Sequence, residues 1–123
     1  MPADAKLLGR WGEDAAAEFL KRKGYRIVGR NYACRMGELD IIAEKGRWVV
    51  FAEVKTRKNA DFAQAAEFVT PAKQRRLITA AELWLGQNPT KKQPRFDVIE
   101  VYAPQGIKTE RPDIRHMEDA FEA

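Results

Sequence analysis

Apolar and polar positions along the chain alternate between a helical and a strand period. From residue 4 to 23, Leu8, Trp11, Ala15 and Phe19 recur three and four apart, Lys21, Arg22 and Lys23 close the stretch, and Gly24 supplies a stop. Tyr25 to Asn31, Glu38 to Glu44 and Trp48 to Thr56 carry the shorter β-branched and aromatic runs of strands. Lys45-Gly46-Arg47 is a tight connection that predicts an antiparallel hairpin from the last two. Thr70-Pro71 opens a second helix, with threonine as N-cap and proline at the first helical position, and Leu77, Ala80, Ala81, Trp84 and Leu85 form its apolar stripe. After a loop over 86–94, Arg95 to Tyr102 reads as another strand, and 104–123, interrupted by Pro and Gly, reads as an irregular C-terminal tail. The order αβββαβ predicts a single α/β domain over 1–123, a mixed central sheet flanked by helices.

The charges that interrupt these strands carry the candidate chemistry. Trp48 to Val54 is a nearly continuous apolar run, the pattern of a strand covered on both faces, yet Glu53 lies inside it. An ionised carboxylate buried there without partners costs roughly several kcal/mol, so it must be paired, protonated or metal-bound. Side chains two apart share a strand face, which joins Glu53 to Lys55 and Glu38 to Asp40. Asp40 and Glu53 lie nearly equally far either side of Gly46, so the hairpin brings them to one region of the sheet. The residues alone leave two readings open for Asp40, Glu53 and Lys55: a buried ion-pair network or a functional site. Glu13 sits at the edge of the first helix's apolar stripe and either reaches the sheet or is a solvated helix acid. Lys73 opposes the macrodipole in the first turn of its helix, a local cost that a bound phosphate offsets; the alternative is a side chain snorkelling over apolar surface. Arg57, Lys58, Arg75 and Arg76 can extend that positive surface along a nucleic-acid backbone.

Composition narrows these options only a little. The 123 residues, 45% hydrophobic and 33% charged, suit one globular domain rather than a disordered or membrane chain. A net charge of +4 mildly favours polyanions. The single Cys34 excludes an internal disulfide, and with only His116 beside it ordinary Cys/His zinc spacing is excluded, which leaves oxygen ligands for any metal. Neither a signal-peptide core nor a membrane-length apolar run is visible, so a cytoplasmic location without a membrane partner is the expectation. GxxxxGK[ST] and GxGxxG loops are absent, which removes local support for nucleotide cradling. Trp11, Trp48 and Trp84 fall on apolar stripes and read as core, Arg95 and Asp97 as a supporting ion pair, and His116 and Cys34 as non-catalytic.

Gly37-Glu38-Leu39-Asp40, Phe51-Ala52-Glu53-Val54-Lys55-Thr56-Arg57 and Arg95-Phe96-Asp97-Val98 together resemble the YraN-like family of small bacterial proteins of uncharacterised function, over most of the chain. More widely, an acid on one strand followed by Glu-x-Lys on the next is similar to the restriction-endonuclease-like, PD-(D/E)xK nuclease superfamily. Glu13 on the first helix is similar to the acid of archaeal Holliday-junction resolvases. Leu39 stands where the family often has isoleucine, and Ala63 follows Phe62 where glycine is frequent. The resemblance implies a restriction-endonuclease-like core and an endonuclease hydrolysing DNA phosphodiester bonds, in branched or structured DNA. It implies Asp40 and Glu53 as ligands of Mg2+, with Mn2+ as substitute, Lys55 as the group that positions water or neutralises charge, and Glu13 as a residue completing the metal shell. Lys73, Arg57 and Arg76 are the expected nucleic-acid contacts, and a homodimer is the expected assembly from resemblance to resolvases. The rival expectations are a nucleic-acid-binding module that does not cleave, and a structural or partner-binding protein on a degenerate nuclease fold.

Overall fold

A computed structural model describes residues 2–58 and 69–123; Phe62 and Ala63 lie outside the described residues. The elements are α1 (Pro2–Arg22), β1 (Arg26–Cys34), β2 (Gly37–Lys45), β3 (Trp48–Arg57), α2 (Pro71–Gln87), β4 (Gln93–Tyr102), a 3-10 turn (Gly106–Lys108) and β5 (Asp113–Phe121). The strands form one five-stranded sheet in the order β1-β2-β3-β4-β5. Its pairs are antiparallel except β3 with β4, which run parallel across the connection that contains α2. This is the mixed α/β architecture that the αβββαβ pattern predicts.

The two helices cover opposite faces of the sheet. Ala16, Ala17 and Leu20 of α1 pack with Ile41, Ala43, Val50, Ala52, Ile99 and Val101, whereas Leu77, Ala80, Ala81 and Trp84 of α2 pack with Ile42, Val49, Phe51, Phe96 and Val98. Val49 and Phe51 therefore face α2 while Val50 and Ala52 face α1, the two-sided burial that makes β3 read as a continuous apolar run. Gly46, at φ 58, makes the two-residue turn that closes Lys45 onto Trp48. Thr70 caps α2 by accepting the Lys73 N–H at 3.2 Å, with Pro71 behind it. Among the described residues no helix is long and apolar enough to cross a membrane.

The segment read from sequence as an irregular tail instead supplies the edge strand β5. Its apolar positions, Ile114, Met117, Ala120 and Phe121, do not alternate in twos, because the ladder to β4 shifts register between Phe96 and Val98 and Asp119 turns left-handed at φ 54. The strand is anchored through Asp97, which is wholly buried. Arg95 donates to both Asp97 oxygens at 2.9 and 2.8 Å, His116 Nε2 lies 2.7 Å away, and the Asp119 N–H donates at 3.0 Å. Arg95 and Asp97 are thus the supporting pair expected of them. His116 is a buried structural group rather than a tail residue: a carboxylate only accepts and the Lys23 ammonium at Nδ1 only donates, so Nε2 carries the hydrogen.

Candidate functional site

The hairpin of β2 and β3 is paired from its turn as far as Ile41↔Ala52, and there the ladder stops although both strands continue. The Asp40 side chain causes the break. Its Oδ2 accepts the Val54 N–H at 2.8 Å, a donor that an uninterrupted ladder would have given to β2. On the other side of β2, Asn31 of β1 lies across from Asp40, between the pairs Arg30↔Ile41 and Tyr32↔Leu39, with a left-handed φ of 52. The sheet is therefore open on the β3 side of Asp40, while the β1–β2 ladder keeps its register on either side of Asn31. An open pocket of about 400 Å³ lies at this point, lined by Glu13 of α1, Glu38 and Asp40 of β2, Glu53 and Lys55 of β3, and Lys73 and Arg76 of α2.

Each side chain reaches the pocket for a local reason. Glu53 follows Phe51 on the α2 face, is only 7% exposed, and forms an ion pair with Lys73. That pair gives the first-turn lysine the anionic partner its position lacks, since the first turn of α2 holds no acid. Glu13 projects from α1 and accepts from Asn31 Nδ2 at 2.8 Å, and the same nitrogen donates to Glu38 at 3.0 Å. Carboxylate oxygens of Glu13, Glu38 and Asp40 all lie within 4.8 Å of one another. The donors are oxygens of hard carboxylates, which fits a Mg2+- or Mn2+-type ion and not a soft metal.

The electrostatics follow from burial and crowding. Burial, then the charge of Glu53 and a hydrogen bond with it, push the Asp40 carboxyl up to about 8, against the opposing pull of the Val54 N–H. Burial and then the neighbouring Lys73 lower the Lys55 amine, while Glu53 and Asp40 act the other way. Burial would also lower Lys73, but its hydrogen bond and charge contact with Glu53 outweigh this and raise it. Two neighbouring ammonium groups are thus differentiated by which of them is hydrogen-bonded to Glu53, leaving Lys55 the readier of the two to lose its proton.

The structure brings Glu13, Asp40, Glu53, Lys55, Lys73 and Arg76 together around this pocket, and Glu38 with them. Arg57 is placed differently: it ends β3 opposite Tyr102 of β4 and does not line the pocket. The charges of Arg115 and then Arg57 act on Glu100, a residue 1% exposed whose carboxyl is raised by burial and whose oxygens have no hydrogen-bond partner among the described residues. Neither Asn31 nor Glu100 is among the site residues that the sequence pattern predicts. Asparagine inside a strand pattern was the available signal for the first, because it is one of the few types that tolerate a left-handed backbone. Glu100 left a weaker one, an acid within an otherwise apolar run.

Residues 12–101, which carry all the strands of the pocket, match the uncharacterised protein family UPF0102. Relatives bearing that description are similar along nearly the whole chain. A protein of Symbiobacterium thermophilum is 46% identical over 97% of this chain and 99% of its own length. One of Caldicellulosiruptor saccharolyticus is 45% identical over 93% and 96%, and one of Geobacter sulfurreducens 44% over 95% and 90%. The chain belongs to the uncharacterised protein family UPF0102.

Proposed function

We propose that this protein is a divalent-metal-dependent endonuclease hydrolysing DNA phosphodiester bonds, with branched or otherwise structured DNA as its substrate class. The observation that carries this reading is the convergence of Glu13, Asp40, Glu53 and Lys55, from three separate elements, on one open pocket where the sheet is parted. The similarity of the Asp40 and Glu53-x-Lys55 pattern to PD-(D/E)xK nucleases adds support, as does the αβββαβ order that presents it. Asp40 and Glu53 would hold a Mg2+ or Mn2+ ion, with Glu13 completing its ligands. Such an ion supplies charge neutralisation for the phosphate and acidifies a water molecule.

The protein's own groups supply the rest. The Val54 N–H fixes the orientation of Asp40. Lys55, on the same face as Glu53 and lowered by its surroundings, orients the attacking water or takes up charge as the phosphate reacts. Lys73 and Arg76 at the pocket rim meet the phosphodiester backbone, contacts that position a nucleic acid without reading its sequence.

The test is incubation of wild type, Asp40→Asn and Glu53→Gln with linear, single-stranded and four-way-junction DNA in Mg2+ or Mn2+. Metal-dependent cleavage by wild type, lost in both variants, is the expected result. Turnover retained by either purified variant rejects the site, and salt-sensitive binding without turnover by wild type favours a binding module instead.

A further inference from the structure

We propose that Asn31 is a positioning residue of this site, its side-chain amide holding the Glu13 and Glu38 carboxylates together beside Asp40. An asparagine amide nitrogen carries two hydrogens. Here Nδ2 donates to Glu13 at 2.8 Å and to Glu38 at 3.0 Å, so both are committed to carboxylates. Hydrogen bonds to ionised acceptors are roughly twice as strong as neutral ones.

The two acids come from separate elements, which the packing of α1 on the sheet brings close and the Asn31 amide joins. Glu13 comes from a helix 18 residues before Asn31 and Glu38 from the next strand, and the like charges of these two acids repel each other within the 4.8 Å cluster they form with Asp40. The backbone is bent to serve the contact. Asn31 adopts φ 52 in the middle of β1, across from Asp40, a conformation that side chains rarely accept in a strand and that asparagine tolerates better than most. The neutrality of the amide matters as much as its geometry. A lysine or arginine at this position would also gather the acids, but would neutralise the charge that a cation needs. An amide orients the carboxylates and leaves their negative charge in place.

This inference rests on the metal reading above, and the experiment separates the two. Mn2+ is titrated by calorimetry into full-length wild type, Asn31→Gly and Asn31→Ser at fixed pH and ionic strength, with thermal midpoints measured in chelator. Glycine adopts φ 52 freely, so Asn31→Gly deletes the amide without backbone strain. Serine is too short to bridge both acids and serves as the second variant. The expected result is Mn2+ affinity about 10–100-fold weaker in both variants, the usual consequence of removing a group that orients metal ligands. The thermal midpoint in chelator shows that Asn31→Gly is folded at the titration temperature. In a Glu13→Gln background the effect of Asn31→Gly should shrink, which a purely structural role would not produce. Wild-type affinity in a folded variant overturns the positioning role while leaving the metal reading intact. Failure of wild type to bind Mn2+ overturns the metal reading and the positioning role with it.

Discussion

Asp40 is where the site and the stability of the fold are set against each other. Its carboxyl is raised from an ordinary 3.8 to about 8, first by burial and then by Glu53. A carboxyl raised in the folded state binds its proton more tightly there. Its favourable contribution is therefore complete below about pH 3.8 and lost as the pH rises from there to about 8. In chelator, Asp40→Asn should melt higher than wild type at the alkaline end of that window, and the difference should vanish at its acid end. The amide oxygen of the variant still accepts the Val54 N–H, so scanning calorimetry across this range reads the charge alone. Saturating Mg2+ should raise the midpoint of wild type and not of the variant, because only a ligand that binds the folded state stabilises it. The Asp40 and Glu53 pairing was legible from their distances to Gly46 in the chain. The Glu53–Lys73 pair was not, because it joins a strand to a helix across a connection that no periodicity spans.

At the scale of elements, the position of α1 depends on a glycine. A Cβ on Gly12 would lie 1.8 Å from Thr56 Oγ1 and 2.9 Å from its Cβ, so the helix backbone rests directly on β3 one residue before Glu13. Helix propensity alone favours alanine there by about 1 kcal/mol. Overpacking of this kind costs typically about 1–3 kcal/mol, and at a 1.8 Å approach the steric penalty wins. Urea denaturation should show Gly12→Ala destabilised, and Thr56→Ala should recover part of the loss in the double variant, since it removes the nearer atom and leaves the farther one. No pattern in α1 marks this requirement, because the clash is with a strand more than forty residues away. The cap of α2 was legible for the opposite reason: Thr70, Pro71 and Lys73 meet within a single turn.

For the molecule as a whole, the Asp97 network holds the edge of the sheet, and on the proposed function the pocket is where DNA is met. Asp97→Asn leaves the buried Arg95 guanidinium with the half-exposed Glu118, 3.2 Å away, as its remaining carboxylate. Breaking a buried pair outright costs about 3–5 kcal/mol, and the retained Glu118 contact keeps the loss at or below the low end of that range. Burial pushes the Asp97 carboxyl up, but hydrogen bonds from His116 and Arg95 outweigh it and hold the group below the usual carboxylate value of 3.8. A depressed carboxyl stabilises the fold above that value, and this contribution is lost as the pH falls through its lower folded-state pKa. Acid titration of stability should therefore show a loss below pH 3.8 in wild type that is absent in Asp97→Asn. On the substrate side, Lys73→Ala and Arg76→Ala should each reduce the slope of log affinity against log salt by about 1 for DNA of any sequence, measured by fluorescence anisotropy.

The two helices and first four strands, the hairpin and its turn, the helix cap and the Arg95–Asp97 pair follow from the order of residues alone. Each arises from contacts two to four positions apart or from a turn of two residues, and such contacts leave a period that can be read. The existence of β5, the approach of α1 at Gly12, the meeting of Glu13 with Glu38 through Asn31 and the partnership of Glu53 with Lys73 were decided only in three dimensions. They depend on how each helix is rotated against the sheet and on where the ladders break. Those are outcomes of packing and mutual repulsion among groups far apart in the chain, and no local pattern encodes them.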